Sequence, residues 1–486
     1  MENNGSELLV DIFRAYYDAR RNKRNTMQQV AFEMDLEHNL VELYEQIRDR
    51  KYEPSPGVCF IVNRPVKREI FASQFRDRVV HHLLFNYLAP LFEPRMIHDS
   101  YSCRAGKGTS EGIRRIGHHI RSCTYNYTRS AYILELDLKG YFMSINKQRL
   151  YEIIRRTLDR CRDRPSGEGL RRGERPDTEL VDFLLRRIIF RDPMADCQIR
   201  GRQSDWAGLP PSKSLRQAPK GVGLPIGDLT SQLFSNIYLG RLDEYVKRVL
   251  RCKHYGRYVD DFYIVHRSRN HLKGLVPQIR RFLREELELE LHPDKIRLRH
   301  YTQGVCFLGA YVKPYRCYPS KRSVALFHEA IAALEQECRG GEPSPQRLAE
   351  MLAVVNSYCG HLRQFDSYKI LDRQFRQSPL KKYFRFAPGY RKAKLKERYK
   401  PRKSVTESDK LLNEALHGQE PLRQPPFRSE RRPDTEGEAA RYGGREGRGG
   451  AGGRKENDEK HETLWHEKDS SARMNKPRYC NGKSRH

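Results

Sequence analysis

The stretch Tyr258-Val259-Asp260-Asp261-Phe262-Tyr263-Ile264-Val265 constrains this chain more than any other, because it sets two adjacent carboxylates among β-branched and aromatic residues. Such residues on either side of a tight turn form a hairpin. Neighbouring side chains within one strand face opposite ways, so two consecutive acids can serve one site only where the backbone turns sharply. The hairpin tip supplies that turn. Adjacent carboxylates in apolar surroundings resist ionisation unless water or a cation relieves them, and a divalent cation relieves them best. The pattern asks for a third acid on a neighbouring strand.

Ala131-Tyr132-Ile133-Leu134-Glu135-Leu136 is a hydrophobic strand that ends in Asp137 and is followed by a turn at Lys139-Gly140. Two strands that each bring a carboxylate to one end of a sheet can hold two Mg²⁺ ions roughly 3.5–4 Å apart, the arrangement used for in-line nucleotidyl transfer. Taken singly, each stretch reads as well as a helix cap or a solvated turn, because short motifs have many chance matches.

The net charge of +30 points to a polyanionic partner, nucleic acid before membrane surface. A hydrophobic content of 37% suffices for two or three domains if part of the 486-residue chain stays unfolded. The eleven cysteines show no C-x-x-C pair and no zinc-ligand spacing, so neither a disulfide framework nor a structural zinc is expected. A reducing, cytoplasmic setting fits that usage. No basic leader followed by an apolar run opens the chain, and no segment approaches membrane-spanning length, so a soluble protein with no membrane partner is expected.

In chain order, helical periodicity runs over residues 8–24 and 27–50, a strand over 58–62, and a basic segment over 63–71. A buried helix starts at Phe75. Its paired His81 and His82 diverge by about 100° on a helix, which argues against metal ligation. Helices follow at 146–158, 178–190 and 270–289, with a polar, turn-rich insertion at 161–177. Residues 221–239 form a glycine-spaced block whose glycines let backbone approach a flat ligand, leading into another helix. Residues 323–375 are again helical, and from Ala387 the pattern dissolves into Lys, Arg, Glu, Gly and Pro.

The Asp137 strand and the Tyr-Val-Asp-Asp hairpin, in this order, resemble the reverse transcriptase family. The resemblance implies an α+β right-hand polymerase fold. N-terminal helices and fingers would occupy 1–125, a palm with an antiparallel sheet 126–316, a helical thumb 317–386, and a disordered basic tail 387–486. It further implies an RNA-directed DNA polymerase that uses an RNA template, a DNA or RNA primer and dNTPs, with two Mg²⁺ ions or Mn²⁺ in their place. By resemblance, Asp137, Asp260 and the Leu138 carbonyl would hold the ions, with Asp261 in support. Lys295 would stand near the departing pyrophosphate. Arg68 and Arg76 would approach the triphosphate, where guanidinium geometry suits phosphate. Phe142, five residues past Asp137, would crowd a ribose 2′-hydroxyl. Phe307-Leu308-Gly309 would grip the primer.

Within the family, Ile226-Gly227-Asp228-Leu229-Thr230-Ser231-Gln232 has Ile and Gln where many members have Gln and Pro. This resembles the reverse transcriptases of diversity-generating retroelements, which implies a basic oligomeric accessory protein, a template-repeat RNA and errors opposite template adenine. Isoleucine beside a nascent base pair offers shape and dispersion but no hydrogen bond, so selection there should be loose. A group II intron-like, retron-like or defence-associated reverse transcriptase is the alternative. A catalytically silent RNA-binding protein on the same scaffold is the remote one.

Overall fold

The computed structural model describes residues 3–21, 26–63, 66–162 and 177–400, all within one compact unit, Met1–Lys403. The insertion expected at 161–177 falls almost wholly outside these residues, as does the tail beyond 400.

The chain opens with helices α1 (Asn3–Arg20), α2 (Met27–Glu33) and α3 (Leu36–Arg48). The single helix expected over 27–50 is broken at Asp35, whose φ of −134° leaves the helical range. The Asn39 amide donates to the Phe32 carbonyl at 3.0 Å, standing in for a lost helical bond. Strands β1 (Val58–Val62) and β2 (Arg68–Ala72) then form an antiparallel hairpin, and α4 (Phe75–Phe92) packs Val79, Val80, Leu83 and Leu84 into the core. His81 is spent on a 2.7 Å bond to Thr230 Oγ1.

Helix α5 (Thr109–Cys123) leads into β3 (Tyr132–Leu136), then α6 (Lys147–Arg162), α7 (Thr178–Ile189) and a two-residue β4 (Gln198–Ile199) that pairs with β1. Helix α8 (Leu229–Glu244), strands β5 (His254–Tyr258) and β6 (Asp261–His266), helix α9 (Arg269–Leu287) and β7 (Arg297–His300) follow. The four-stranded sheet has the order β5-β6-β3-β7, antiparallel throughout. Its period of two divides the core. Leu134, Leu136, Phe262 and Ile264 face a cluster containing Leu233 and Phe234 of α8 and Ile279 of α9. Ile133, Tyr263 and Val265 face Ile116 and Ile120 of α5. Each such burial stabilises by about 1.5–3 kcal/mol, and a one-residue slip would turn all of them to the wrong face. Register is therefore fixed, and with it the strand ends that carry acids.

Strands β8 (Val305–Phe307), β9 (Ala310–Lys313) and β10 (Arg316–Pro319) form a second antiparallel sheet. Helices α10 (Lys321–Gly340), α11 (Pro345–Leu362) and α12 (Tyr368–Phe375) have their own core around Phe327, Met351, Val355 and Phe375. The fold is α+β. One expectation is corrected: residues 387–400 do not belong to a structureless tail. Strands β11 (Phe384–Phe386) and β12 (Ala393–Leu395) pair, Asn356 clamps Ala393 through bonds of 3.0 and 2.7 Å, and Tyr390 lies 5.6 Å from the Phe375 ring. Aromatic packing and one side-chain amide hold down a stretch half of whose residues are charged.

Candidate active site

Tyr258 pairs with Asp261, leaving Val259-Asp260 as a two-residue turn. Val259 has φ +53°, an outlier for a β-branched residue, so the tip is held under strain. Leu136 pairs with Phe262, and one more step of that register sets Asp137 opposite Asp261. Asp137 is itself pinned: its carbonyl accepts from the His292 N–H at 2.8 Å, and the Lys139 N–H donates to the Glu290 carbonyl at 2.9 Å. The Leu138 carbonyl lies between these bonds and takes part in neither.

The electrostatics are those of an unrelieved acid cluster. Burial, and then the Asp137 charge, push the Asp260 carboxyl up to about 6. The Asp261 carboxyl is raised as well, first by burial, then by a hydrogen bond with Asp137 and by the Asp260 charge. Lys295 Nζ donates to Asp137 Oδ2 at 2.7 Å, while Asp137 Oδ1 is buried without a hydrogen-bond partner. Among the described residues no three His, Cys, Asp or Glu side chains are placed closely enough to hold a metal ion as they stand. A buried carboxylate oxygen with no partner, beside two acids reluctant to ionise, is nevertheless a donor set that a divalent cation suits.

The other expected residues separate. Arg68 is exposed at the start of β2, near enough for its charge to favour ionised Asp260. Arg76 is engaged elsewhere: its guanidinium lies 5.0 Å over the Tyr52 ring and donates to the Glu53 carbonyl, Ser55, Asp77 and Gln46. Phe142 and Ile226, both half-buried, share a cluster with Phe71, Met143 and Leu215. Gly227 is required by its own chain, since at φ +147° a Cβ would overlap the Phe71 carbonyl. Gln232 accepts from the Cys103 thiol. Leu308 and Gly309, at φ +50° and +81°, make the β8–β9 turn, whereas the Phe307 ring is buried edge-on to Tyr263 at 5.1 Å. Phe307 therefore anchors the hairpin in the core and only the turn is available to a primer.

Sequence reading missed a network beneath the tip. Arg257 is fully buried, bonds both oxygens of Asp243 (2.8 and 2.6 Å), and reaches the Val259 carbonyl at 3.0 Å, Ser100 Oγ at 3.2 Å and Asn236 at 3.3 Å. Tyr255 adds a 2.7 Å bond to Asp243. A signal was present: an arginine inside an apolar strand requires a buried acid, and Asp243 lies two turns along α8 from Asn236.

Three carboxylates on adjacent antiparallel strand ends, backed by helices, form one acid cluster at the end of the four-stranded sheet. Residues 196–312 match the family model described as reverse transcriptase (RNA-dependent DNA polymerase). The matched span contains Ile226, both hairpin acids, Lys295 and the β8–β9 turn, but neither Asp137 nor Arg68. Protein YkfC of Escherichia coli is 23% identical over 301 residues, covering 55% of this chain and 69% of that one. The COX1/OXI3 intron 2 protein of Saccharomyces cerevisiae is 27% identical over 157 residues, covering 20% and 18%. A solved telomerase from Candida albicans, in complex with a telomeric RNA fragment, aligns with 71% of this chain and 61% of its own, at a TM-score of 0.39 and 12% identity. The chain thus spans about three fifths of that telomerase and under a fifth of the yeast protein. Among the described residues no helix is long and apolar enough to cross a membrane, and the cysteines are free thiols.

Proposed function

We propose that this chain is an RNA-directed DNA polymerase that extends a DNA or RNA primer along an RNA template, with fingers, palm and thumb divided as 1–125, 126–316 and 317–386. The convergence of Asp137 with Asp260 and Asp261 carries the reading, because Asp137 reaches the matched acids only through the fold. Asp137, Asp260 and the Leu138 carbonyl would hold two Mg²⁺ ions, or Mn²⁺, with Asp261 beside them; when bound, such ions lower the pKa of an attacking hydroxyl and neutralise phosphate charge. Arg68 meets the triphosphate from β2. Lys295, half-exposed on Asp137, is free to turn to the leaving pyrophosphate and supply charge or a proton. Phe142 excludes a 2′-hydroxyl, and the Leu308-Gly309 turn supports the primer end. The rest of the work is positioning.

We assign the enzyme to the diversity-generating subfamily on Ile226 and Gln232, with a basic oligomeric accessory protein as partner. The partial likeness to an intron protein favours a second reading, in which the same chemistry serves a group II intron-like element. Primer extension by the full chain on RNA with Mg²⁺ and dNTPs, followed by product sequencing, tests both. Extension abolished by Asp260→Ala, with errors concentrated opposite adenine and reduced by Ile226→Gln, is the expected result. Accurate extension moves the assignment to the second reading, and extension that survives Asp260→Ala removes the polymerase site.

A further inference from the structure

One segment touches both halves of the proposed site. Residues 203–217 run as three single turns, Gln203–Trp206, Pro211–Lys213 and Leu215–Gln217, between β2 and the turn after Asp137. The two neighbours of Arg68 hold it. Lys67 Nζ donates to the Ala207 carbonyl at 2.6 Å. Glu69, with no exposed surface, accepts from Trp206 Nε1 at 2.6 Å, from Ser214 Oγ at 3.2 Å and from the Leu215 N–H at 2.6 Å. Arg216 lies 4.9 Å over the Trp206 ring and 3.7 Å from the same carboxylate. A buried carboxylate met by three donors and a cation is a fixed strut, since losing any donor leaves charge uncompensated.

On the palm side the contact is as close. Gly140, three residues beyond Asp137, is at φ +57°, and a Cβ there would stand 2.6 Å from the Ser212 carbonyl. Leu215 is buried in the cluster that includes Phe142 and Ile226, and Trp206 packs against the same cluster. Successive residues of a strand face opposite ways, so turning Glu69 inward to this segment turns Arg68 out towards the site. One strut therefore ties the arginine to the surface formed by Phe142 and Ile226.

We propose that residues 203–217 form a strap that sets the spacing between Arg68 and the Phe142–Ile226 surface, making Trp206 and Glu69 positioning residues for selection of deoxynucleotides over ribonucleotides. The inference rests on the polymerase reading above. A slack strap lets β2 and the Phe142 ring part, so the sugar is pressed less firmly and the triphosphate is held less well. The chemical step, set by the carboxylates on other elements, is spared.

The test is steady-state extension on an RNA template by the full chain, comparing wild type with Trp206→Ala, Trp206→Phe and Glu69→Gln, each with a dNTP and the matching rNTP. Trp206→Ala raises KM for dNTP about tenfold with kcat within about twofold, and lowers the deoxy-to-ribo ratio of kcat/KM about tenfold. Trp206→Phe, which keeps a ring but loses the indole N–H, falls between, as does Glu69→Gln. Equal loss of kcat for both sugars, with the ratio unmoved, overturns the proposal and leaves the strap a structural element. Should Trp206→Ala not fold, the same criterion is applied to the two milder variants. A wild type that extends no primer on RNA removes the polymerase reading and this inference with it, whereas a wild type that extends with an unmoved ratio in the variants removes this inference alone.

Discussion

The β5–β6 hairpin meets acids at two places that the protein treats in opposite ways: Asp243 of α8 below the tip, and the carboxylates at the tip itself. Below the tip, Asp243 is met by Arg257 through two bonds and by Tyr255 through a third, with nothing left over. At the tip, Asp260 and Asp261 crowd Asp137, both hairpin carboxyls are pushed up, and one Asp137 oxygen has no partner. The satisfied cluster holds the backbone through the Val259 carbonyl; the unsatisfied one waits for charge to be supplied. Replacing an acid should therefore cost activity at the tip and stability below it.

The sharpest break is Asp137→Asn, which keeps shape and removes one charge. Extension should fall about a thousandfold or more, about 4 kcal/mol of transition-state stabilisation. Thermal melting without divalent ions should be unchanged or higher, because repulsion at the tip is reduced. A variant that melts earlier and keeps its activity would reverse the assignment of the two clusters. Arg257→Met does the opposite experiment. It leaves Asp243 buried and uncompensated, so a loss of about 3–5 kcal/mol is expected in denaturant unfolding. Arg257→Lys should rescue little of it, since a single ammonium cannot replace bonds to Asp243, Asn236, Ser100 and Val259 at once.

The same contrast explains what could be read from the sequence. The tip was legible because adjacent acids between apolar strands conflict with their surroundings, and a local conflict marks a site. Asp137 was found because it too interrupts an apolar run. Arg257 stands one residue before the motif and was passed over, because its partner Asp243 lies on another element and only the fold joins them. Phe307 was misjudged for a related reason: alternation places its ring in the core against Tyr263, and the available backbone is the turn beside it. The packed stretch at 387–400 went unseen because its folding depends on Asn356 and Phe375, not on its own composition. At Gly227 the close approach that demands a glycine is between two parts of the chain, a reason only the fold reveals.

The tip also predicts a pH dependence whose sign differs from that of an ordinary ion pair. Asp260 is raised from its usual 3.8 to about 6 and Asp261 is raised as well. Between the unfolded value and the raised ones, about 6 for Asp260 and about 8 for Asp261, the native state binds more protons than the unfolded state, so this contribution is fully present below about pH 4 and lost as pH rises through about 6 to 8. Without divalent ions, melting temperature should fall across that window, and Asp260→Asn should flatten the slope. Mg²⁺ at pH 8 should restore stability by binding the ionised form, with a gain that shrinks as protons compete at lower pH. A Mg²⁺ effect independent of pH, or unchanged in the Asp260→Asn variant, would place the ion elsewhere.

The smallest effect separates strain from charge at the same tip. Val259 holds φ +53° without being glycine, whereas the β8–β9 turn has Gly309 at one of its two positive-φ positions. Left-handed backbone costs a residue with a Cβ about 1–2 kcal/mol, and glycine's greater freedom in the unfolded chain takes back about 0.5–1 kcal/mol. Val259→Gly should then stabilise by at most about 1.5 kcal/mol in urea unfolding. Activity should fall nonetheless, because a glycine lets Asp260 sample orientations that the valine, with its carbonyl fixed by Arg257, forbids. Full activity in a stabilised Val259→Gly protein would show that Arg257 alone aims the turn; lower stability would show that the valine side chain, packed against the core, outweighs the backbone strain.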